Sequence, residues 1–130
     1  MSVEAPHPPL APAKLRGLAH VFAATRYSLA GLARLASEAA FRHEIALGAV
    51  LLGTLAATGA SRVDLLIQCG LLLLLAAAEA LNTAIELIVD LVSPEVSVLA
   101  GQAKDLGSFA VSCVILANLG FAVACIAAIV

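Results

Sequence analysis

The chain has 130 residues, of which 62% are hydrophobic and 12% are charged. Soluble domains are typically about a quarter charged and just under half apolar, so this composition excludes an ordinary soluble domain and indicates an integral membrane protein. The net charge of −2 argues against nucleic-acid binding, which requires a clustered basic surface.

The N-terminal region divides into two parts. Residues 1–12 contain four prolines, Pro6, Pro8, Pro9 and Pro12, and this density predicts a disordered tail. Residues 13–41 combine apolar side chains with spaced arginines, which predicts an amphipathic helix lying on the membrane surface. The basic residues continue to Arg42, and acidic residues precede the first apolar stretch, so the region is not a cleaved signal peptide.

Three apolar stretches follow and predict three membrane spans, at residues 45–61, 65–92 and 108–130. A span needs roughly 20 residues, so the first stretch is at the short limit and the third is comfortable. The second would be about 42 Å long at about 1.5 Å per residue, which exceeds a hydrocarbon core of about 30 Å. Its last turns must therefore extend into water. The predicted fold is all-α and integral to the membrane, with one surface helix and three transmembrane helices.

The positions of the basic residues predict the orientation. Of the seven lysines and arginines, five precede the first span: Lys14, Arg16, Arg26, Arg34 and Arg42. The positive-inside rule therefore predicts a cytoplasmic N-terminus, a cytoplasmic loop over residues 93–107 and an external C-terminus.

The second span ends in a row of polar residues, Glu79, Asn82, Glu86 and Asp90, which we name the polar stripe. At about 100° per residue, all four lie within an arc of roughly 80° on one helical face. Placing ionisable side chains at the end of a membrane span costs free energy unless something binds there. Surplus carboxylates at a lipid–water boundary indicate a divalent cation and chemistry on a lipid headgroup.

Further polar residues lie near the membrane entry points. Glu38 precedes the first span, where it could pair with Arg42, and Lys104-Asp105 precede the third. Carboxylates that hold Mg²⁺, a lysine that neutralises charge and a carboxylate that accepts a proton are the parts that phosphoryl transfer needs. Glu79, near the edge of the hydrocarbon, suits the base, and Glu86, further out, suits metal binding. No Walker loop or GxGxxG motif is present, so helix side chains and the cytoplasmic loop would bind ATP.

Three ordered motifs carry a family resemblance. They are the segment from Glu79 to Asp90, the segment from Ala103 to Ser108 and the segment from Glu38 to Arg42. Together they resemble the prokaryotic integral-membrane diacylglycerol kinases. The resemblance implies a homotrimer in the bacterial inner (cytoplasmic) membrane with active sites shared between subunits. It also implies phosphorylation of diacylglycerol to phosphatidate by MgATP.

The resemblance assigns roles to individual residues. Glu79 is implied to be the catalytic base, and Glu38 and Glu86 are implied to hold the metal. The remaining implied site residues are Tyr27, Glu95, Lys104 and Asp105 at the nucleotide, Asn82 and Asp90 as supporting polar groups, and Ser108 with Glu79 at the lipid substrate. The segment between Leu32 and Glu38 is one residue shorter than in the best-known members, which would rotate Tyr27 about 100° relative to Glu38 in a continuous helix.

Other functions remain open at this stage. A related kinase with the same motif core phosphorylates undecaprenol, although the Gly107-Ser108 pair resembles the diacylglycerol branch more closely. A small proton-coupled transporter using Glu79 would need one dominant membrane acid, whereas here the acids continue outward to Asp90. A purely structural subunit would leave the stripe unexplained.

Overall fold

A computed structural model describes residues 17–95 and 97–129, which form four helices. They are α1 (Leu18–Ala36), α2 (Ala39–Ala57), α3 (Arg62–Val92) and α4 (Val98–Ile129). The last three are each long and apolar enough to cross a membrane. The all-α fold with three candidate spans is therefore confirmed. The predicted tail at residues 1–12 and the first residues of the predicted surface helix, 13–16, lie outside the described residues.

The segment predicted as one surface helix is divided near Ser37. The Ser37 hydroxyl donates to the carbonyl of Arg34, and the Arg42 guanidinium reaches back to donate to the carbonyl of Ser37 at 2.8 Å. These bonds satisfy carbonyls that a helix end would otherwise leave unpaired. Glu38 then adopts an extended conformation and precedes α2. The chain therefore enters the first candidate span at Ala39, earlier than the predicted residue 45.

The connection between α2 and α3 is a short turn. Gly59 has a φ of 84°, a left-handed conformation that glycine adopts without a steric cost. The Ser61 side chain then accepts from the backbone N–H of Asp64, and the Asp64 carboxylate accepts from the backbone N–H of Ser61. This capping box starts α3 at Arg62. The preceding helix, α2, ends at Ala57, four residues before the predicted end of the first span.

The connection between α3 and α4 is shorter than predicted. Only residues 93–97 separate the two helices, and Pro94, which lacks a backbone N–H, lies within this segment. The prediction of a loop over residues 93–107 is therefore wrong, because residues 98–107 are the first turns of α4. Lys104 and Asp105 consequently lie on a helix that packs along α3, and α3–α4 is the most extensive interface of the chain.

The interior contains polar and apolar side chains in equal measure. The buried apolar residues are Leu35, Phe41, Leu55, Leu75, Val111 and Ala122, and the buried polar ones are Glu44, Gln68, Glu79, Asn82, Thr83 and Asn118. Leucines such as Leu66 and Leu73 are instead exposed on the outside of the helices. Lipid tails are as apolar as leucine, so polar contacts and close packing are what associate helices in a membrane.

Candidate active site

The residues of the polar stripe become more exposed towards the C-terminal end of α3. Glu79 is 5% exposed and Asn82 is 8% exposed, whereas Glu86 is half-buried and Asp90 is exposed. The inner pair is covered because α3 packs there against its neighbouring helices. The stripe therefore runs from a protein-covered inner end to an accessible outer end, which is the geometry expected of a site that meets lipid at one end and water at the other.

Asn82 lies at the centre of the stripe and holds one of its acids. Its Nδ2 donates to Oε1 of Glu86 at 3.0 Å, which leaves the second Glu86 carboxylate oxygen available. Among the described residues, Asn82 Oδ1 is buried and has no hydrogen-bond partner. Buried acceptors are normally satisfied, so this oxygen is an exception, and it is covered by Gly107 of α4.

Gly107 of α4 packs closely against the side chain of Asn82. A Cβ atom at residue 107 would collide with Oδ1 of Asn82. The collision involves a buried amide that is itself hydrogen-bonded to Glu86, so the amide cannot simply turn away without losing that bond. A side chain at residue 107 would therefore displace the Asn82 amide. The sequence motif contains Gly107 but does not show what it contacts.

Glu38 is close to the stripe but pairs differently from the prediction. The carboxyl groups of Glu86 and Glu38 are near enough to Glu79 to interact with it electrostatically. Glu38 Oε1 binds Nη1 of Arg34 at 2.8 Å, and not Arg42. The alternative pairing of Glu38 with Arg42 does not form, because the break at Ser37 turns Arg42 towards the carbonyls that end α1.

Glu44 is a further candidate site residue, which none of the sequence motifs indicates. It is buried on α2, its Oε2 has no hydrogen-bond partner among the described residues, and its carboxyl group interacts electrostatically with that of Glu79. The buried residues of α2 are Phe41, Glu44, Gly48 and Leu55. Their spacing of three, four and seven marks one helical face, so the pattern that could have identified Glu44 was present in the sequence.

Glu44 also lines an apolar cleft between α2 and α3, which we name the α2–α3 cleft. Its volume is about 230 Å³, and its walls include Phe41, Gly48, Leu72 and Leu75. Leu72 and Leu75 precede Glu79 by seven and four residues, so all three lie on the same side of α3. The cleft therefore continues along the face that carries Glu79, with Glu44 as the charged group in its lining.

The outer end of the stripe forms a more polar cleft of about 260 Å³. Nζ of Lys104 binds Oδ1 of Asp90 at 2.5 Å, and Glu95 lines the same cleft. Three of the residues assigned by resemblance are thus brought together. Tyr27, Asp105 and Ser108 are exposed on α1 and α4, and within residues 17–95 and 97–129 no hydrogen bond or ion pair joins their side chains to the stripe.

The carboxylates fit a magnesium–nucleotide complex better than a metal held by protein alone. Across the part of the chain that the structure describes, no three His, Cys, Asp or Glu side chains are arranged to hold a metal ion. Mg²⁺ at nucleotide sites is usually bound by one or two carboxylates together with substrate phosphates. The second oxygen of Glu86 has no hydrogen bond within residues 17–95 and 97–129, and Glu38 is partly exposed with its Oε1 on Arg34, so each offers one carboxylate oxygen to that donor set.

Comparison with known proteins agrees with this geometry. Residues 26–127 match the family described as prokaryotic diacylglycerol kinase. A diacylglycerol kinase of a Sinorhizobium species is 50% identical over 105 residues, which cover 81% of this chain and 77% of the relative. Diacylglycerol kinases of Haemophilus influenzae (38% identity, 75% and 84% covered) and Pseudomonas aeruginosa (43% identity, 72% and 77% covered) are also similar. The chain therefore belongs to the prokaryotic diacylglycerol kinase family.

Proposed function

We propose that this chain is a membrane lipid kinase that transfers the γ-phosphoryl group of ATP to diacylglycerol, giving phosphatidate. Family membership supports the reaction class. The observation that carries the proposal is the graded stripe, because it joins an apolar cleft at its buried end to a polar cleft at its exposed end. A lipid hydroxyl and a nucleotide need such a boundary to meet.

The lipid enters from the bilayer, and one of its acyl chains binds in the α2–α3 cleft. Its free hydroxyl then reaches Glu79, which accepts the hydroxyl proton as the oxygen attacks the γ-phosphorus. The bond from the γ-phosphorus to the β–γ bridging oxygen breaks, and ADP leaves. A carboxylate base of this kind contributes typically 10²-fold to 10⁴-fold to a rate. Glu44, beside Glu79 and with a free oxygen, binds the polar glycerol region and fixes its orientation. Ser108 contributes to the same lipid site.

The nucleotide binds from the aqueous side. Lys104, held by Asp90, neutralises charge on the phosphates, and Glu95, Asp105 and Tyr27 complete the nucleotide site. Mg²⁺ bound with ATP would screen the phosphate oxygens, and Glu38 and Glu86 are the carboxylates that would hold it. Asn82 orients Glu86 through the hydrogen bond between them. Phosphoryl transfer depends mainly on such positioning and electrostatic stabilisation.

The active assembly is a homotrimer in the bacterial inner membrane, with α1 lying amphipathically on the cytoplasmic surface. The excess of basic residues before α2 supports a cytoplasmic N-terminus. Tyr27, Asp105 and Ser108, which are exposed on the protomer, are then available to complete a site shared between neighbouring subunits.

The direct test is transfer of labelled phosphate from MgATP to lipid by the purified chain in mixed micelles. Diacylglycerol and undecaprenol are offered separately, with a sample lacking Mg²⁺ as control. Metal-dependent labelling of diacylglycerol is expected. Labelling of undecaprenol alone would retain the phosphoryl-transfer chemistry and replace the substrate. A folded sample that labels neither lipid would overturn the proposal in favour of a transporter.

A further inference from the structure

A second polar contact joins α3 to α4 inside their interface, away from the candidate active site. Gln68 and Asn118 are each 0% exposed, and Nε2 of Gln68 donates to Oδ1 of Asn118 at 2.7 Å. Asn118 Nδ2 donates to the carbonyl of Leu71 on α3 at 3.1 Å and to that of Val114 on its own helix at 2.9 Å. We name Gln68 and Asn118 the buried amide pair.

The amide pair and the active site share one helix register. Asn118 bonds Leu71, and Gly107 contacts Asn82. Asn82 is eleven residues beyond Leu71 on α3, and Gly107 is eleven residues before Asn118 on α4. Because the helices are antiparallel, the two contacts lie about 16 Å apart along the same alignment. Fixing one contact therefore fixes the other.

The active site is sensitive to this alignment. Moving α4 by one residue along its helical path, about 1.5 Å along and about 100° around its axis, would bring Leu106 or Ser108 towards Asn82 in place of Gly107. Either residue has the Cβ atom for which the crossing has no room. Such a shift would displace the Asn82 amide and with it the hydrogen bond to Glu86.

Apolar packing alone does not select this register strongly. The part of α4 that follows Gly107 is almost uniformly apolar, so neighbouring alignments bury similar surfaces. A buried amide differs, since a register shift leaves it without partners, and a single buried asparagine is known to specify register in coiled coils. The buried amide pair can therefore select an alignment that leucine and alanine contacts leave open.

We infer that Gln68 and Asn118 are positioning residues for catalysis, which act through the register of α3 and α4 to hold Gly107 against Asn82. The inference rests on the proposed function only where activity is the readout. The pair touches no substrate. Its role is to keep the amide that orients Glu86 in its productive place.

The kinetic test replaces both amides at once, as Gln68→Leu with Asn118→Leu, so that neither is left unpaired in the membrane. The expected result is a folded, membrane-inserted protein whose kcat falls by about tenfold to 100-fold, because displacements of about 1 Å have effects of this size. KM for diacylglycerol should change less than kcat, since no α4 residue lines the α2–α3 cleft and Ser108 is the α4 residue of the proposed lipid site. Ser112→Ala is the matched control, because the Ser112 hydroxyl bonds only within α4, to the carbonyl of Ser108.

A double-mutant cycle separates positioning from general stabilisation. Gly107→Ala should lower kcat strongly in the otherwise unmodified chain and much less in the Gln68→Leu, Asn118→Leu background, where α4 is free to move away from the added methyl. Sites more than about 10 Å apart are normally additive, so this non-additivity is specific to a shared register. Equal effects of Gly107→Ala in both backgrounds would overturn the inference.

A third measurement needs no activity. Ala78 is seven residues after Leu71 on α3, and Val111 is seven residues before Asn118 on α4, so the two positions belong to the same alignment. Both are replaced by cysteine, as Ala78→Cys and Val111→Cys. In a chain whose native cysteines are replaced by alanine, oxidation should cross-link this pair, and removing the buried amide pair should slow cross-linking several-fold. An unchanged rate would reject the register role. If the unmodified chain shows no kinase activity, the proposed function fails while this measurement still tests the register.

Discussion

Two polar contacts along the α3–α4 interface have different compositions. The inner one, Gln68 with Asn118, consists of neutral amides, and Asn118 uses both its oxygen and its nitrogen on neighbouring helix atoms. The outer one, Asn82 beside Gly107, holds a carboxylate and leaves the Asn82 oxygen unpaired. Among the described residues, Gln68 Oε1 of the inner contact is likewise buried without a hydrogen-bond partner, so an unpaired oxygen does not distinguish the two contacts. The difference is charge, because an amide–amide bond suits architecture, whereas a carboxylate suits a ligand. The α3–α4 interface therefore has an inner, structural end with neutral amides and an outer, chemical end with carboxylates.

The largest expected effect is at the chemical end. Glu79→Gln should lower kcat by about 10³-fold, because the amide keeps the shape of the carboxyl group and cannot accept the hydroxyl proton. Phosphate transfer is measured in mixed micelles alongside far-UV circular dichroism. The matched control is Asp64→Asn in the capping box at the opposite end of α3, which should leave turnover near that of the unmodified chain. Turnover retained by Glu79→Gln would remove Glu79 as the catalytic base.

The next effect tests the steric part of the outer contact. Gly107→Ala should lower kcat by about tenfold to 100-fold through displacement of Asn82, with a loss of about 1–3 kcal/mol in the free energy of unfolding from overpacking. Gly120→Ala is the control on the same helix, since a Cβ there meets no atom within 4 Å. If the two variants behave alike in turnover and thermal unfolding, the close approach at Gly107 has no functional role.

A smaller effect is expected at the exposed end of the stripe. Lys104→Gln should raise KM for MgATP by about tenfold, which is the size of one lost charge-assisted hydrogen bond. Stability should change little, because the Lys104–Asp90 pair is largely exposed to solvent. Arg62→Gln removes a cation at the other end of α3 and should leave KM for MgATP unaltered. The measurement is initial rate against MgATP concentration, and a change confined to kcat would remove Lys104 from nucleotide binding.

The smallest effect concerns the apolar cleft below the stripe. Gly48→Ala introduces a Cβ about 3.0 Å from Cδ2 of Leu72, a side-chain end that can partly move aside. KM for diacylglycerol should therefore rise only about threefold, with KM for MgATP unchanged. Gly53→Ala, which has open space around its Cβ, is the control. A Gly48→Ala chain with unaltered lipid kinetics would indicate that the acyl chain lies elsewhere.

Much of the fold and part of the site follow directly from local sequence. Composition and the lengths of the apolar stretches predict three spans, and the period of the helix puts Glu79, Asn82, Glu86 and Asp90 on one face. Helix boundaries were less predictable, since apolar stretches mark where lipid contact begins and not where hydrogen bonding begins. The turns of α4 before Gly107 are polar enough to resemble a loop, yet they are helical along α3.

The pairings of individual side chains were the least predictable feature. Spacing alone allows Glu38 to pair with Arg42, but the helix break at Ser37 gives Arg34 to Glu38 instead. Glu44 looked like one more acid before a span, and its burial beside Glu79 depends on how α2 packs on α3. Both outcomes depend on a bend or a crossing between helices, which periodicity within one helix does not encode.

The sequence by itself determined three properties. The protein has membrane-spanning composition, α3 carries the polar stripe towards the membrane boundary, and the chain resembles a lipid kinase. Those properties follow from hydropathy, helical period and local motifs, which act within a single segment. Only the tertiary structure decided that Gly107 faces Asn82, that Glu44 joins Glu79, and that Asn118 is bonded to α3 in the same register. These contacts join residues far apart in the chain, and they exist only because packed helices fix their alignment to within about one residue.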